Sequence, residues 1–517
     1  MRRNIYFIVL LSATIISSCK KETKTTPEPT QPTKTGSALD LMRDSVYLYA
    51  KEAYYWNDAI PDYATFKPRS YSGANDLAAL QKEVDAISQF KINPITNQPY
   101  EYYEFDPGTA KYSFIDEGGV SEELGGTKGD FGFAPFYNTS SDLRVKYVYP
   151  GSPADLAGIK RGYKVTRVNN HSGSQLNSDN AANVDYVVDA YYNSNNISLT
   201  LMKPDGSPME ATLAAGSYTV NPVLATKVID AGGGKKIGYV VFNSFTSDAN
   251  ARPKLDAAFG TFATEGVTDL VVDLRYNGGG YVSTAEYLTD LIAPASADGK
   301  QMFAYYFNST LASGKATILK NQVRKDETTG EIYNYGDFSY TVANNSVKFS
   351  KNGLPVNNFK RVFFIVTGAT ASASELTINN LLPVMDVKFI GTTSYGKPVG
   401  FFNININKYE MYIPEFETKN SQGKGGYYAG MTPGSPEYPG IEIRDDVTKE
   451  FGDPEEGLLA RAISYVKTGN FSVSGPRIQS VGSQDLSIAE SNRIGLTLEG
   501  KKFRGTVFNT PMKLKKK

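Results

Sequence analysis

Ser372 lies in Ala371-Ser372-Ala373-Ser374-Glu375, and Lys397 follows twenty-five residues later in Gly396-Lys397-Pro398. A serine placed just before an apolar helix, with a lysine arriving one strand later, can form a Ser/Lys dyad. The hydroxyl attacks a carbonyl carbon and the amine takes its proton. Ser374, two residues on, is the competing nucleophile. The chain contains one histidine, His171, in a polar turn, and one cysteine, Cys19, close to the N-terminus. A Ser-His-Asp triad would have to use His171. A zinc site built on His and Cys has too few ligands, and cysteine catalysis would fall on a targeting segment. The base is therefore expected to be Lys, Asp, Glu or Tyr, with no metal and no cofactor.

A lysine can serve only when neutral, and at its reference value of about 10.4 it is almost wholly protonated. Burial in an apolar site disfavours the ammonium. Tyr395, Pro398, Val399 and Phe401 are suitable walls. Gly278, Gly279 and Gly280 would let backbone approach a reacting carbonyl closely.

The elements that must position these groups form an α/β pattern. Ile237 to Phe242, Thr268 to Arg275, Arg361 to Val366 and Val387 to Ile390 read as strands; Asp248 to Phe262, Thr284 to Leu291 and Ser374 to Leu382 read as helices. Alternation of this kind predicts a largely parallel sheet with functional loops at the carboxyl ends of its strands. A hairpin is expected within Phe401 to Ile413, a closing helix over Asp453 to Val466, and only some β character after Thr468.

Before that core, residues 38–117 read as a small helical domain, with helical spacing in Leu41 to Tyr54 and Leu77 to Phe90. Residues 118–218 read as strands. Gly151-Ser152-Pro153-Ala154-Asp155-Leu156-Ala157-Gly158, with its flanking strands, resembles a bacterial PDZ domain, although Gly162-Tyr163 stands where that family usually has Gly-Asp. The resemblance implies peptide binding by strand addition, with a loop at Gly132, Phe133 and Ala134 receiving a chain terminus.

Residues 1–19 combine Arg2-Arg3, an apolar run and Ile16-Ser17-Ser18-Cys19. The run is too short to span a membrane and reads as a secretory signal. Its ending resembles a bacterial lipobox, which implies lipidation at Cys19 and anchoring in the cell envelope. Residues 20–37, rich in Lys, Thr, Pro and Glu, read as a disordered tether. With 54 basic and 54 acidic residues among 517, no electrostatic footprint for nucleic acid is present.

Three separated stretches, Asp273-Leu274-Arg275-Tyr276-Asn277-Gly278-Gly279-Gly280, Ala371 to Glu375 and Gly391 to Lys397, together resemble the C-terminal processing (tail-specific) serine peptidases. The resemblance implies a peptidase core over 219–468, with 469–517 as an extension. It implies Ser372 as nucleophile, favoured over Ser374 by the family offset, and Lys397 as general base. Backbone N–H groups of Ala373 and of the Gly279 region would form the oxyanion hole, supported by Asp273, Arg275, Asn277 and Glu375. The implied substrates are proteins or peptides, recognised by exposed C-terminal segments. Phe401 stands where many members carry a glutamine that orients the lysine. A non-cleaving, peptide-binding lipoprotein on the same fold is the alternative.

Overall fold

The computed structural model describes residues 30–325, 330–355, 357–473, 486–499 and 504–508. Cys19 and the signal lie outside the described residues. Two amphipathic helices open the described chain, α1 (Ala38–Ala53) and α2 (Asp76–Ser88). Ser37 caps α1 through a capping box with Asp40, and Asn75 caps α2 by accepting the Ala78 N–H. Both satisfy amides that a first helical turn leaves unpaired.

An antiparallel sheet follows. Its strands β1 (Phe133–Thr139), β2 (Asp142–Val148), β3 (Lys164–Val168), β4 (Asn196–Met202) and β5 (Pro208–Ala214) pair in that order, with helix α3 (Ala181–Tyr192) between β3 and β4. Alternation along these strands turns Val145, Val165, Ile197, Leu199 and Leu201 into a core of their own, which Val184 and Val187 of α3 complete.

The main sheet comprises β6 (Val223–Gly232), β7 (Lys235–Phe242), β8 (Asp269–Asp273), β10 (Arg361–Val366), β11 (Asp386–Gly391) and β12 (Gly440–Glu442). Only the β6–β7 pair is antiparallel; every later pair is parallel. Every residue of β8 is buried, as a central parallel strand covered on both faces requires. Helices α4 (Asp248–Thr264), α5 (Val282–Ile292), α6 (Ala373–Leu381) and α7 (Gly457–Thr468) accompany the sheet. Strand β9 (Gly279–Tyr281) stands apart from it and pairs in parallel with β13 (Gly505–Val507), which follows helix α8 (Ile488–Leu498).

Two sequence expectations change. Val46, Ala50 and Tyr54 of the N-terminal helical segment share one core with Val240, Leu270 and Phe364 of the main sheet, so that segment has no separate core. Beyond Thr468 the chain is not merely β-like, because α8 is a full helix. Leu486, Ile494 and Leu498 join the core of the antiparallel sheet, and that burial stabilises a helix too short to hold alone. The hairpin is present as Ile404–Ile406 paired with Tyr409–Tyr412.

Arg275 locks the end of β8. Its fully buried guanidinium contacts Asp273 at 2.6 Å, Asp445 at 2.6 Å and Glu456 at 2.7 Å. Glu456 also caps α7 by accepting the Leu459 N–H at 2.9 Å. Burial pushes the Asp445 carboxyl up, but Arg275 and Arg161 together hold it below its ordinary value. Removing one partner of such a cluster strands the other charges in a dry site. Arg275→Ala is expected to cost about 3–5 kcal/mol in chemical denaturation; a loss below about 1 kcal/mol, the range of an exposed pair, would refute this account.

Candidate active site

Ser372 is the N-cap of α6, with φ 60° and ψ −105°. A serine in this sparsely populated region is strained, and the surroundings hold it there. Its N–H donates to Glu375 Oε2 at 2.8 Å, and its carbonyl accepts the Leu376 N–H at 2.7 Å. The preceding loop is tied to the end of β8. Thr370 Oγ1 donates to the Leu274 carbonyl at 2.7 Å, and the Ala371 N–H donates to the Asn277 carbonyl at 3.0 Å. Ser374 Oγ donates to that same Asn277 carbonyl at 3.0 Å, which gives the competing serine a structural role.

Glu375 ties the backbone of Lys397 to that of Ser372. Its Oε2 accepts the N–H of Ser372 and the N–H of Lys397, each at 2.8 Å. Its Oε1 accepts the Gly396 N–H at 2.7 Å and the Ser394 hydroxyl at 2.5 Å. One carboxylate thus joins the start of α6 to the loop after β11. Burial raises the Glu375 carboxyl above its usual value, although these four donors oppose the shift.

The Lys397 side chain is buried, 1% exposed, as is Ser372 at 0%. Its Nζ lies 3.7 Å from the centre of the Phe401 ring and 5.4 Å from that of Tyr112, and donates to the Arg504 carbonyl at 2.7 Å. Desolvation drives its pKa well below that of a free lysine, against the pull of Glu101 and Glu375; Lys111 and Arg504 push it further down. Phe401, which stands where many members of the resembled family carry glutamine, is an apolar wall, and in this structure the polar partner of the amine is the Arg504 carbonyl.

The glycine loop closes the site. Gly279 has φ 109°, and a Cβ there would lie 3.1 Å from the Ala373 nitrogen, so the two expected oxyanion-hole positions are neighbours. The Gly279 N–H donates to Asn277 Oδ1 at 2.9 Å, while Asn277 Nδ2 donates to the Phe242 carbonyl at 2.8 Å. Asn277 therefore shapes the loop. Asp273 and Arg275 belong to the buried ion cluster described above.

Of the three expected peptide-loop residues, Phe133 and Ala134 lie in β1 and Gly132 immediately precedes it. Gly132 has φ 80°, and a Cβ there would meet Ser152 Cβ at 1.9 Å. Its N–H donates to Asp130 Oδ1 at 2.7 Å and its carbonyl accepts the Tyr149 N–H at 2.8 Å. Phe133 is buried against Tyr191, with ring centres 5.1 Å apart, and Ala134 pairs with Tyr147.

Residues 236–427 match the family model Peptidase family S41. That stretch contains Ser372, Glu375, Lys397 and the glycine loop. Among solved structures, a Bacteroides fragilis protein assigned to the S41 proteases shares 20% identity with a TM-score of 0.53, over 84% of this chain and 98% of its own. The photosystem II D1 C-terminal processing protease shares 15% identity with a TM-score of 0.44, over 83% and 99% respectively. No curated protein sequence matches the chain. The first likeness shows a shared mixed α/β, multi-domain fold. Among the described residues no cluster of His, Cys, Asp and Glu could hold a metal ion, and no helix is long and apolar enough to cross a membrane.

Local sequence pattern missed Glu101, Tyr112 and Arg504 as neighbours of the amine. Glu101, fully buried and bonded to the Tyr54 hydroxyl at 2.7 Å, stands in the aromatic run Tyr100-Glu101-Tyr102-Tyr103, where a lone acid was the available signal.

Two outcomes follow from this geometry. Relief of the Ser372 backbone makes Ser372→Gly more stable than Ser372→Ala by about 1–3 kcal/mol in denaturant titrations; equal stability would show an unstrained turn. Lysine in the unfolded chain stays protonated up to about pH 10.4, so burying it neutral costs stability at lower pH. The Tm of the native chain is therefore expected to fall increasingly below that of Lys397→Met as pH drops from about 10, levelling off below the folded-state pKa. A gap independent of pH would mean that the buried amine keeps its charge.

Proposed function

We propose that the chain is a serine endopeptidase in which Ser372 is the nucleophile and Lys397 the general base. The observation carrying this reading is the shared Glu375 oxygen, which joins the two residues' backbones while the lysine amine lies in an apolar, buried site. The family match over 236–427 supports it.

A neutral Nζ has one lone pair. It takes the Ser372 Oγ proton as Oγ bonds to the scissile carbonyl carbon. The negative charge that develops on the carbonyl oxygen is stabilised by the Ala373 N–H and a donor of the Gly279 region, each such donor contributing about 10²–10³ in rate. On collapse the carbon–nitrogen bond breaks, and the Nζ proton passes to the leaving amine. Water then attacks the acyl ester, with Lys397 again as base, and restores the serine. Glu375 positions both residues and stays out of the proton path.

In this reading residues 118–218 act as a PDZ-like domain that presents peptide segments to the core. The Gly132 amide already serves Asp130, which favours capture of a segment along β1 over capture of a terminal carboxylate in that loop. The signal-like run and the lipobox-like ending at Cys19 support an address in the bacterial cell envelope on a lipid anchor.

Ser372→Ala and Lys397→Ala are each expected to lower cleavage of unfolded protein or model peptides by about 10²–10⁴ or more while circular dichroism stays unchanged. Substantial activity in either purified variant would refute the dyad. The acid limb of kcat/KM should follow one ionisation with a midpoint below that of free lysine, activity being lost as pH falls through it. A rate maximum near pH ~5 would contradict a lysine base.

A further inference from the structure

Residues 504–508 run between two backbone edges beside Ser372 and Lys397. On one side Gly505 N–H donates to the Gly278 carbonyl at 2.9 Å, and β13 pairs in parallel with the glycine loop, Gly279 opposite Gly505 and Tyr281 opposite Val507. On the other, the Phe508 N–H donates to the Phe401 carbonyl at 2.7 Å, and Phe401 bridges to Val507 in parallel. Between these edges the Arg504 carbonyl accepts the Lys397 amine. Strand addition between two edges, with a peptide carbonyl at the reactive amine, is how an extended peptide substrate would lie.

The approach is close enough to require glycine at position 279. A Cβ on Gly279 would lie 2.4 Å from the Gly505 carbonyl oxygen, and Gly505 is itself buried. Val507 and Phe508 are buried at 7% and 6% exposure, and Phe508 lies edge-on to Tyr305 with ring centres 5.6 Å apart.

The same segment reaches the second expected peptide site. Helix α8 packs on both β1 and α3, with Ile494 and Leu498 in the core that holds Phe133 and Tyr191. Glu499 then joins the two ends. It pairs with Lys146 of β2 at 2.7 Å and with Arg504 at 2.6 Å, all three side chains largely buried.

We propose that residues 486–499 and 504–508 are a built-in occupant of both peptide-binding surfaces, with Arg504 to Phe508 filling the groove between the glycine loop and Phe401. The groove thereby selects extended peptides with an aliphatic and an aromatic residue where Val507 and Phe508 lie. This rests on the peptidase reading for what the groove is used for, but not for what fills it. The occupied groove is closed to other peptides, and the fraction of chains with the tail displaced sets their apparent affinity.

The test uses a fluorescein-labelled peptide with the sequence of residues 504–508 and the full chain carrying Ser372→Ala, so that nothing is cleaved. Adding Phe508→Asp or, as a second variant, Val507→Asp should tighten peptide binding by about 10-fold or more through a larger open fraction, and an aspartate in place of the peptide's phenylalanine should abolish it. With Ser372 intact, the same tail variants should cleave casein faster, and the peptide should inhibit them competitively. Hydrogen exchange on the unmodified chain needs no variant: excess peptide should speed exchange of the Gly505 and Phe508 amides. Equal peptide binding with and without the tail variants, or unaltered exchange at saturating peptide, would overturn the proposal even if casein is cleaved. Tightened binding with no cleavage by any form would uphold the occupant and refute the peptidase reading.

Discussion

A single buried carboxylate organises the site. Glu375 sits at the third position of α6, where a capping box places its oxygens over the helix entrance. From there it accepts main-chain N–H groups of Ser372, Gly396 and Lys397 and the Ser394 hydroxyl. A carboxylate so deeply buried is tolerable only because its oxygens are saturated with donors. The donors come from two separate crossovers of the parallel sheet, the turn after β10 and the turn after β11. Their meeting is what holds the backbones of a serine and a lysine, distant in sequence, on one carboxylate. The strained Ser372 backbone is a consequence, since the N–H must face Glu375 while α6 begins at the next residue.

Around this junction the fold removes water from one amine. Phe401 and Tyr112 give it aromatic faces, and Lys111 and Arg504 add positive charge nearby. The same desolvation reaches Lys111, whose ammonium is pushed down to about 8. Opposing this, the Glu101 and Glu375 carboxylates favour the charged form, but burial outweighs them. The environment is thus a balance in which apolar enclosure wins, and it draws on residues from nearly the whole length of the described chain.

Much of the core was legible in the sequence, and the reason is local. Continuous apolar strands, the helix after Ser372 and the glycine loop announce themselves over five to ten residues, because parallel strands buried on both faces have little other choice of composition. Ser372, Lys397, Gly279, Arg275 and Glu375 fall within such stretches. What local pattern could not show is long-range closure. Nothing near Arg504 marks its carbonyl as the partner of Lys397, and nothing in the helical spacing of Val46, Ala50 and Tyr54 shows that they complete the core of a sheet two hundred residues away. Helix α8 was missed for the same reason: its apolar residues are few, and its stability is tertiary. Arg275 was legible as an ion pair at a strand end but not as the centre of a four-residue cluster, since Asp445 and Glu456 arrive from beyond the last long strand.

The shared core of the N-terminal helices with the main sheet sets a lower limit on any working fragment. Tyr112 donates its hydroxyl to the Gly396 carbonyl at 2.5 Å, and Glu101 accepts both the Tyr112 and Ser113 N–H groups. A piece trimmed to residues 236–427 would keep the hydroxyl and the amine yet open that wall to solvent. Its lysine would regain hydration and lose the burial that drives its pKa down. The smallest excisable unit that keeps this amine buried is therefore set by the aromatic segment ahead of residue 118, far upstream of Ser372 and Lys397.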